Sequence, residues 1–300
     1  MSYPGEPYTT GASVADERAA AATATAADAA QTGAATAPAP APGWSPAGVR
    51  SWNWARLPLG LIIPAALLAA WQLASTSGMF TVVQLPPPAM VLSAAGELVD
   101  RGELGTHIAI STQRVLIGFL VGAALGLVLG ATVGLSKLAD ALLAPTIGAL
   151  RAVPSLAWVP LLILWMKIGE DSKVTLIIIG AFFPVFTTVS LALRHVDRNL
   201  VEAARAFGLK GIRLLTTVQL PAVVPAVFSG LRLALAQAWL FLVAAELIAS
   251  SMGLGFLLID SQNNGRTDRL LLAIVMLAVI GKITDALLGL AEKWAVKRWA

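Results

Sequence analysis

The 300-residue sequence contains no cysteine and only two histidines, and 13% of its residues are charged. Without cysteine, the chain cannot form a structural disulfide, a thiolate metal site or a cysteine nucleophile. Two histidines, His107 and His195, argue against a histidine-cluster metal site. The formal net charge of +4 is too small to favour nucleic-acid binding. We therefore expect no metal, no nucleic-acid partner and no catalytic residues.

What the sequence has in excess is apolar side chains, which make up 57% of it. Soluble domains average about 45–50% apolar and about 25% charged residues. The mean hydropathy is +0.77. These values together predict an integral membrane protein.

Several hydrophobic stretches approach the ~20 residues that cross ~30 Å of hydrocarbon. We predict an all-α, polytopic membrane helical bundle, because backbone polar groups must be satisfied inside the bilayer. The third of its six transmembrane helices contains Pro145, Pro154 and Pro160 and should be bent. The predicted spans are Leu57–Ser75, His107–Leu135, Leu142–Met166, Val174–Leu193, Ala222–Ser250 and Leu270–Ala291.

Residues 1–50 are rich in alanine and proline and predict a disordered cytoplasmic tail, followed by a transmembrane domain at residues 51–300. Basic residues favour the cytoplasmic side, and placing both termini there puts eleven inside and five outside. The outer loop at residues 78–106 predicts a short amphipathic helix with an apolar face at Met90, Leu92, Ala95, Leu98 and Val99. This face would cover lipid or the bundle, and a ligand site is the alternative.

The inner loop at residues 194–221 predicts a helix–turn–helix. Asp197 can cap a first helix whose apolar face is Leu200, Ala203, Ala204 and Phe207. Gly208 fits the position just after its end. A second helix, Gly211 to Val218, should stop before Leu220-Pro221. An apolar face without a hydrophobic core of its own indicates a docking element.

The same loop resembles the EAA loop of bacterial ABC-importer permeases. The matching residues are Glu202, Ala203, Ala204, Gly208, Gln219, Leu220 and Pro221, and Val218 replaces the usual isoleucine. The segments 150–165, 168–173, 243–248 and 251–256 resemble the sulfonate, taurine and nitrate permeases of that superfamily. The likeness runs from about Leu85 to Trp294.

This resemblance implies a multi-pass permease in the bacterial cell membrane that imports a small solute, such as a sulfonate, taurine or nitrate, with ATP hydrolysed by a separate subunit. It implies a cytosolic ABC ATPase dimer, a second permease copy and an extracytoplasmic solute-binding protein as partners. The ATPase would contact a coupling loop that includes Glu202, Ala203, Ala204, Phe207, Gly208, Leu220 and Pro221.

The chain itself has no sequence for binding ATP. The one Gly-Lys pair, Gly281-Lys282, is followed by Ile283 and lacks the preceding glycine of a P-loop. The glycines that recur every four residues from Gly118 to Gly134 could form a cofactor loop or a close helix contact, and the spacing favours packing. We expect no cofactor and no enzyme activity in this chain.

Charged residues inside predicted spans are costly and indicate function by default. Our predicted translocation path contains Arg114, Arg151, Arg232 and Glu246, and its three arginines favour an anion. Other interpretations remain open. Arg114 could extend outward to the interface, Arg151 could bind backbone carbonyls at the proline bend, and Arg232 and Glu246 could each be neutralised by other helices. Lys282 and Asp285 suit an internal ion pair better than a proton relay.

The alternative function is an ATP-independent secondary transporter or channel. Arg232, Glu246, Lys282 and Asp285 would then form its ion pathway. Such a carrier has no need for the loop at residues 194–221, so this loop favours the permease. The sequence does not specify which solute is carried.

Overall fold

The computed structural model describes residues 57–299, except the side chains of residues 57–61, 155, 249 and 299, and within that range it contains helices and no strands. Residues 63–300 belong to one compact unit. The predicted tail, residues 1–50, lies outside the described residues. The helices are α1 (Leu57–Thr76), α2 (Pro88–Asp100), α3 (Glu103–Leu135), α4 (Lys137–Ala152), α5 (Trp158–Met166), α6 (Glu170–Arg194), α7 (Arg198–Ala206), α8 (Gly211–Leu214), α9 (Leu220–Ala249), α10 (Leu254–Asn263) and α11 (Thr267–Trp299).

Four of these helical segments are long and apolar enough to cross a membrane. They are α3, α6, the continuous helix Gly211–Ile248 and α11, and they correspond to the second, fourth, fifth and sixth predicted spans. The all-α membrane fold is thus confirmed for the described part of the chain. The first and third predicted spans are a 20-residue helix, α1, and a broken segment, α4 with α5.

The centre of the bundle is the contact of α6 with α3 on one side and α9 on the other. The glycine row of α3 lies against α6, so closely that a Cβ at Gly122 would be 2.6 Å from the carbonyl oxygen of Ile178. Only glycine permits such an approach of two backbones. The packing interpretation of the glycine repeat is therefore confirmed.

The third predicted span is interrupted at Pro154. Val153 has extended backbone angles, φ −69° and ψ 123°, which the ring of a following proline favours. Helix α4 therefore ends at Ala152, and a 3₁₀ turn at Ser155–Ala157 leads into α5. Pro145 lies inside α4 and does not end it.

The predicted outer amphipathic helix is present as α2, but its packed face agrees only in part with the one we predicted. Val91, Ala94 and Leu98 are buried, whereas Leu92 and Val99 are exposed. The buried set follows the i, i+3, i+7 spacing of one helix face, and Val91 and Leu98 pack with Leu257 and Leu272. Of the predicted face, Leu98 is buried and Ala95 packs against the same cluster. The prediction was wrong in joining Leu92 and Val99 to them, because these two residues lie on the other side of the helix.

The prediction that the second loop helix stops before Leu220-Pro221 was also wrong. Helix α8 continues through a π-helical turn at Leu215–Gln219 directly into α9. In this turn the N–H of Leu220 donates to the carbonyl of Leu215, five residues earlier. A wider turn accommodates the ring and the missing N–H of Pro221, so the proline does not end the helix.

Candidate functional site

The first helix of the loop forms as its sequence predicts. Asp197 precedes α7 and its Oδ1 accepts a hydrogen bond from the backbone N–H of Asn199 at 2.8 Å. This bond satisfies one of the N–H groups that a helix start leaves without a partner. On the exposed side of α7, Arg198 Nε donates to Glu202 Oε1 at 2.7 Å, one turn later.

The end of α7 is fixed by Gly208. Its φ of +84° is costly for a residue with a Cβ. The N–H of Gly208 donates to Arg205 O at 2.9 Å, and the N–H of Leu209 donates to Ala204 O at 3.1 Å. These two bonds form a Schellman motif, which turns the chain sharply after the helix.

The turn leaves large apolar side chains exposed. Phe207 is 88% exposed and Ile212 is 69% exposed, and Leu200 of α7 is exposed as well. Ala204 of α7 and Leu214 of α8 are buried and attach the loop to the rest of the chain. Of the other predicted coupling residues, Glu202 and Ala203 are exposed, and Leu220 and Pro221 are half-buried. We name the exposed set of Leu200, Phe207 and Ile212 the loop patch.

A second group of candidate residues meets at the opposite end of α6. Arg114 of α3 is 5% exposed and Glu246 of α9 is wholly buried. Arg114 Nη1 lies 2.6 Å from Glu246 Oε1. The guanidinium also binds both carboxylate oxygens of Glu170, the first residue of α6, at 2.6 Å each. The interpretation that Arg114 extends outward was therefore wrong, because carboxylates of two other helices hold it in the bundle.

The carboxylate of Glu246 is held by further donors. Ser111 Oγ donates to Oε1 at 2.8 Å, and the N–H of Gly255 donates to Oε2 at 2.7 Å. Gly253 has a φ of +122°, and a Cβ there would overlap the carboxylate. The segment before α10 thus folds closely over Glu246, and Arg114 Nη1 also donates to Met252 O at 2.7 Å.

Arg232 belongs to a separate network between α9 and α11. Its Nε and Nη2 donate to the two carboxylate oxygens of Asp285, each at 2.9 Å, and Glu292 lies 3.5 Å from Nη1. Lys282 Nζ lies 3.4 Å from Asp285, which confirms the predicted internal pair. Arg232 and Glu246 are each neutralised by another helix, as one of our two interpretations predicted.

Unlike the other three predicted path residues, Arg151, in the last turn of α4, joins no ion-pair network in the described part of the chain. Its one side-chain hydrogen bond in the described part of the chain runs from Nη1 to Thr187 Oγ1 of α6, at 3.0 Å. The predicted alternative, a bond to a backbone carbonyl, does not occur among these residues. Arg151 lies on a cavity of about 220 Å³ between α4 and α6.

Sequence reasoning missed the acidic partners that complete these networks. Glu170 was not singled out, and Asp285 was not predicted to pair with Arg232. Ser111 was not singled out. Arg114 is 132 residues from Glu246 along the chain, so no local spacing could have linked them. The local signal that was available, a charge within an apolar stretch, identified Arg114, Arg232 and Glu246 but not which residues pair with one another.

The helical architecture, with its apolar segments of spanning length, defines an integral membrane protein. Residues 122–297 match the family described as the binding-protein-dependent transport system inner membrane component. The match covers more than half of the sequence, and the chain belongs to this family.

Three relatives are similar over most of their length. A protein named putative aliphatic sulfonates transport permease protein SsuC, from Bacillus subtilis, is 40% identical over 250 residues, which is 83% of this chain and 90% of the relative. The Escherichia coli protein of the same name is 42% identical over 79% of this chain and 90% of the relative. The taurine transport system permease protein TauC of Escherichia coli is 33% identical over 78% and 88%.

A solved structure has the same fold. A chain of the MetNI methionine ABC transporter, in an inward-facing conformation, superposes with a TM-score of 0.52 and 21% identity. The superposition covers 69% of this chain and 98% of the MetNI chain. At this identity the likeness concerns the fold alone.

Proposed function

We propose that this ABC-importer permease moves a small organic anion into the cytoplasm, using ATP hydrolysed by a separate ABC ATPase. In the proposed assembly two copies of this chain span the membrane, an ATPase dimer binds their inner loops, and a solute-binding protein delivers the anion outside. This chain contributes the pathway and the coupling surface and holds no cofactor.

The observation that carries the proposal is the loop patch. Exposed aromatic and aliphatic side chains on a short helix favour a protein partner, because apolar surface is stabilised when it leaves water. Helix α7 also has a capped start and a Schellman end, so the loop presents Phe207 in one defined conformation. Such an element suits transmission of movement between subunits.

Among anions, an aliphatic sulfonate is the substrate class we favour. The relatives named for aliphatic sulfonates are 40% and 42% identical to this chain, whereas the relative named for taurine is 33% identical. Taurine and nitrate, the other candidates from the sequence, are compared in the experiment below.

We further propose that the chain crosses the membrane six times with both termini in the cytoplasm. The broken segment, α4 with α5, supports this count because it lies along nearly the whole length of α6. Asp140 of α4 pairs with Arg194, Arg151 binds Thr187, and Leu162 of α5 lines a small cavity with Lys173 and Leu176. The segment therefore runs antiparallel to α6 from one end to the other.

The test is uptake into vesicles that contain the purified permease and ATPase. We expect butanesulfonate uptake to require the ATPase, hydrolysable ATP on the ATPase side and the binding protein on the other side. Taurine and nitrate, offered in parallel with their own background controls, should be taken up more slowly. A non-hydrolysable ATP analogue provides the matched control.

The alternative, a secondary transporter, makes an opposite prediction. An ion gradient alone would then drive uptake in vesicles that lack the ATPase. That result would overturn the proposed function, as would uptake that is indifferent to ATP hydrolysis.

A further inference from the structure

We propose that the cavity beside Arg151 is a binding site for the oxyanion head group of a short alkyl anion. This inference rests on the proposed transport function and assigns one site on the pathway to the transported anion. We name it the anion cavity. Its lining includes Ile147, Gly148, Arg151, Phe186, Thr187 and Arg194.

The first argument is charge. Arg114 and Arg232 each bind two carboxylates, and Arg194, at the rim of the anion cavity, pairs with Asp140. Within the described residues, Arg151 has no carboxylate within 4.0 Å and binds only a neutral hydroxyl. Its charge is therefore available to an anion, whereas the charges of the other three arginines are already balanced.

The second argument is depth. Thr187, which holds the guanidinium, lies seven residues before the end of α6 at Arg194. At about 1.5 Å per residue this is about 10 Å along the helix. A helix that crosses ~30 Å of hydrocarbon would place this point well inside the membrane. An arginine at this depth is costly without a partner, and it marks an ion or substrate pathway when it faces a cavity.

The third argument is hydrogen bonding. A guanidinium has five N–H donors, and in the described part of the chain Arg151 uses one of them. Thr187 Oγ1 accepts that bond and, among the same residues, donates none, so its proton can reach a ligand oxygen. A sulfonate, with three oxygens, matches a planar guanidinium and an adjacent hydroxyl better than a monatomic anion does.

The fourth argument is size and polarity. The volume of about 220 Å³ leaves room for more than a single water molecule. The cationic end adjoins apolar side chains, among them Ile147 and Phe186. This combination suits an anion that has both a charged head group and a few carbons, which favours an alkanesulfonate over nitrate.

A charged head group could also come from a lipid, since a phospholipid phosphate shares the oxyanion chemistry. We assign the anion cavity to the soluble alkyl anion. The experiment therefore includes vesicles and micelles with and without phosphatidylglycerol, an anionic lipid.

The absence of cysteine from the sequence allows a direct test with a single introduced thiol. Gly148 lines the anion cavity, and a Cβ added there has no heavy atom within 4 Å. In the purified permease–ATPase complex we compare the labelling rate of Gly148→Cys by anionic sulfonatoethyl methanethiosulfonate with that by its cationic trimethylammonioethyl counterpart. The matched control is Gly105→Cys, at the other end of the bundle, where a Cβ is equally free of contacts.

We expect the ratio of the anionic to the cationic labelling rate to be about tenfold higher at Gly148→Cys than at Gly105→Cys. The reason is that a cleft of one charge concentrates ions of the opposite charge. Adding Arg151→Gln should abolish that preference at Gly148→Cys and leave Gly105→Cys unchanged. Butanesulfonate should slow labelling at Gly148→Cys, and nitrate should do so less.

Three results would overturn the inference: an unchanged preference in Arg151→Gln, no protection by butanesulfonate, or protection by phosphatidylglycerol alone. Uptake separates this inference from the proposed function. Suppose that the wild-type assembly shows no ATP-dependent uptake of any alkanesulfonate while labelling behaves as expected. The proposed function is then contradicted, and the inferred binding site is still supported. If uptake is normal in both the wild type and Arg151→Gln, the inferred role of the anion cavity in transport fails and the proposed function remains.

Discussion

A buried carboxylate such as that of Glu246 lowers the stability of a fold unless donors compensate for the lost water. Here three donors come from two separate parts of the chain: Arg114 and Ser111 on α3, and the N–H of Gly255 at the start of α10. Glu246 thus joins α9 to α3 and to the segment that precedes α10. This arrangement explains why a charge persists near the end of an otherwise apolar helix.

We predict that Glu246→Ala destabilises the protein by about 3–5 kcal/mol, because it removes one partner of a buried ion pair. Glu246→Gln should cost less, since the amide keeps an acceptor for Ser111. The measurement is thermal unfolding of the purified protein in detergent. Arg101→Gln, which breaks an exposed pair with Glu97 on α2, is the control and should cost less than about 1 kcal/mol. Equal stability of Glu246→Ala and the wild type would contradict the prediction.

Glu97 connects α2 to the start of α11 in a different environment, outside the spanning helices. Its carboxylate binds Arg266 and Arg269, each at 2.8 Å. Hydrogen bonds from Arg266 and then Arg269 lower the pKa of Glu97 from 4.5 to about 2. A carboxylate whose pKa is lower in the folded state stabilises that state above the unfolded pKa and loses this effect as the pH falls.

We therefore predict that wild-type stability falls between about pH 4.5 and pH 2 more steeply than that of Glu97→Gln. The amide has no proton to gain in this window, so its interactions with the arginines do not change. Unfolding temperatures of both proteins at pH 5 and pH 3 give the comparison, and other acidic groups contribute equally to both. Parallel curves would show that the arginines do not hold this carboxylate.

At the scale of elements, the loop at residues 194–221 shows how far local sequence determines structure. The cap at Asp197 and the end at Gly208 depend on a few neighbouring residues, and both were predicted. The fusion of α8 with α9 was not predicted, because a proline usually marks a helix boundary and a π-helical turn has no simple sequence signal. Contacts between distant helices, such as that of Arg114 with Glu246, depend on the packing of the whole bundle.

The loop patch leads to a prediction about partner binding. Phe207→Ala should weaken retention of the ATPase during purification and reduce uptake, because it removes the largest exposed apolar side chain of the patch. Gly208→Val should have a similar effect for another reason: at φ +84° a Cβ costs about 1–2 kcal/mol and shifts the turn. No heavy atom of the described chain lies within 4 Å of the added Cβ, so the Cβ itself causes no clash within the permease.

Both variants should still insert into the membrane, since Phe207 and Gly208 lie between the spanning segments α6 and Gly211–Ile248. Lys293→Gln, an exposed change on α11 far along the chain, is the control. Normal ATPase retention together with normal uptake in Phe207→Ala and Gly208→Val would remove the loop patch from the coupling surface.

At the scale of the whole molecule, the number of crossings depends on α1 and on the broken segment. Helix α4 has 16 residues and α5 has 9. At about 1.5 Å per residue they are about 24 Å and 14 Å long, so neither spans ~30 Å of hydrocarbon alone. Together they suffice, provided that they continue in one direction. Their contacts with α6, from Arg194 at one end to Lys173 at the other, favour that arrangement.

This argument predicts which exposed positions face each side of the membrane. In single-cysteine variants, Met79→Cys after α1 and Ile168→Cys after α5 should react with a membrane-impermeant maleimide in intact cells. Lys137→Cys at the start of α4 and Lys210→Cys in the inner loop should react only after the membrane is opened. All four positions are exposed in the structure, so a lack of reaction reports the membrane and not burial. Labelling of Lys137→Cys and Ile168→Cys from the same side would mean that α4 and α5 enter and leave the membrane by one face, and the chain would then cross fewer than six times.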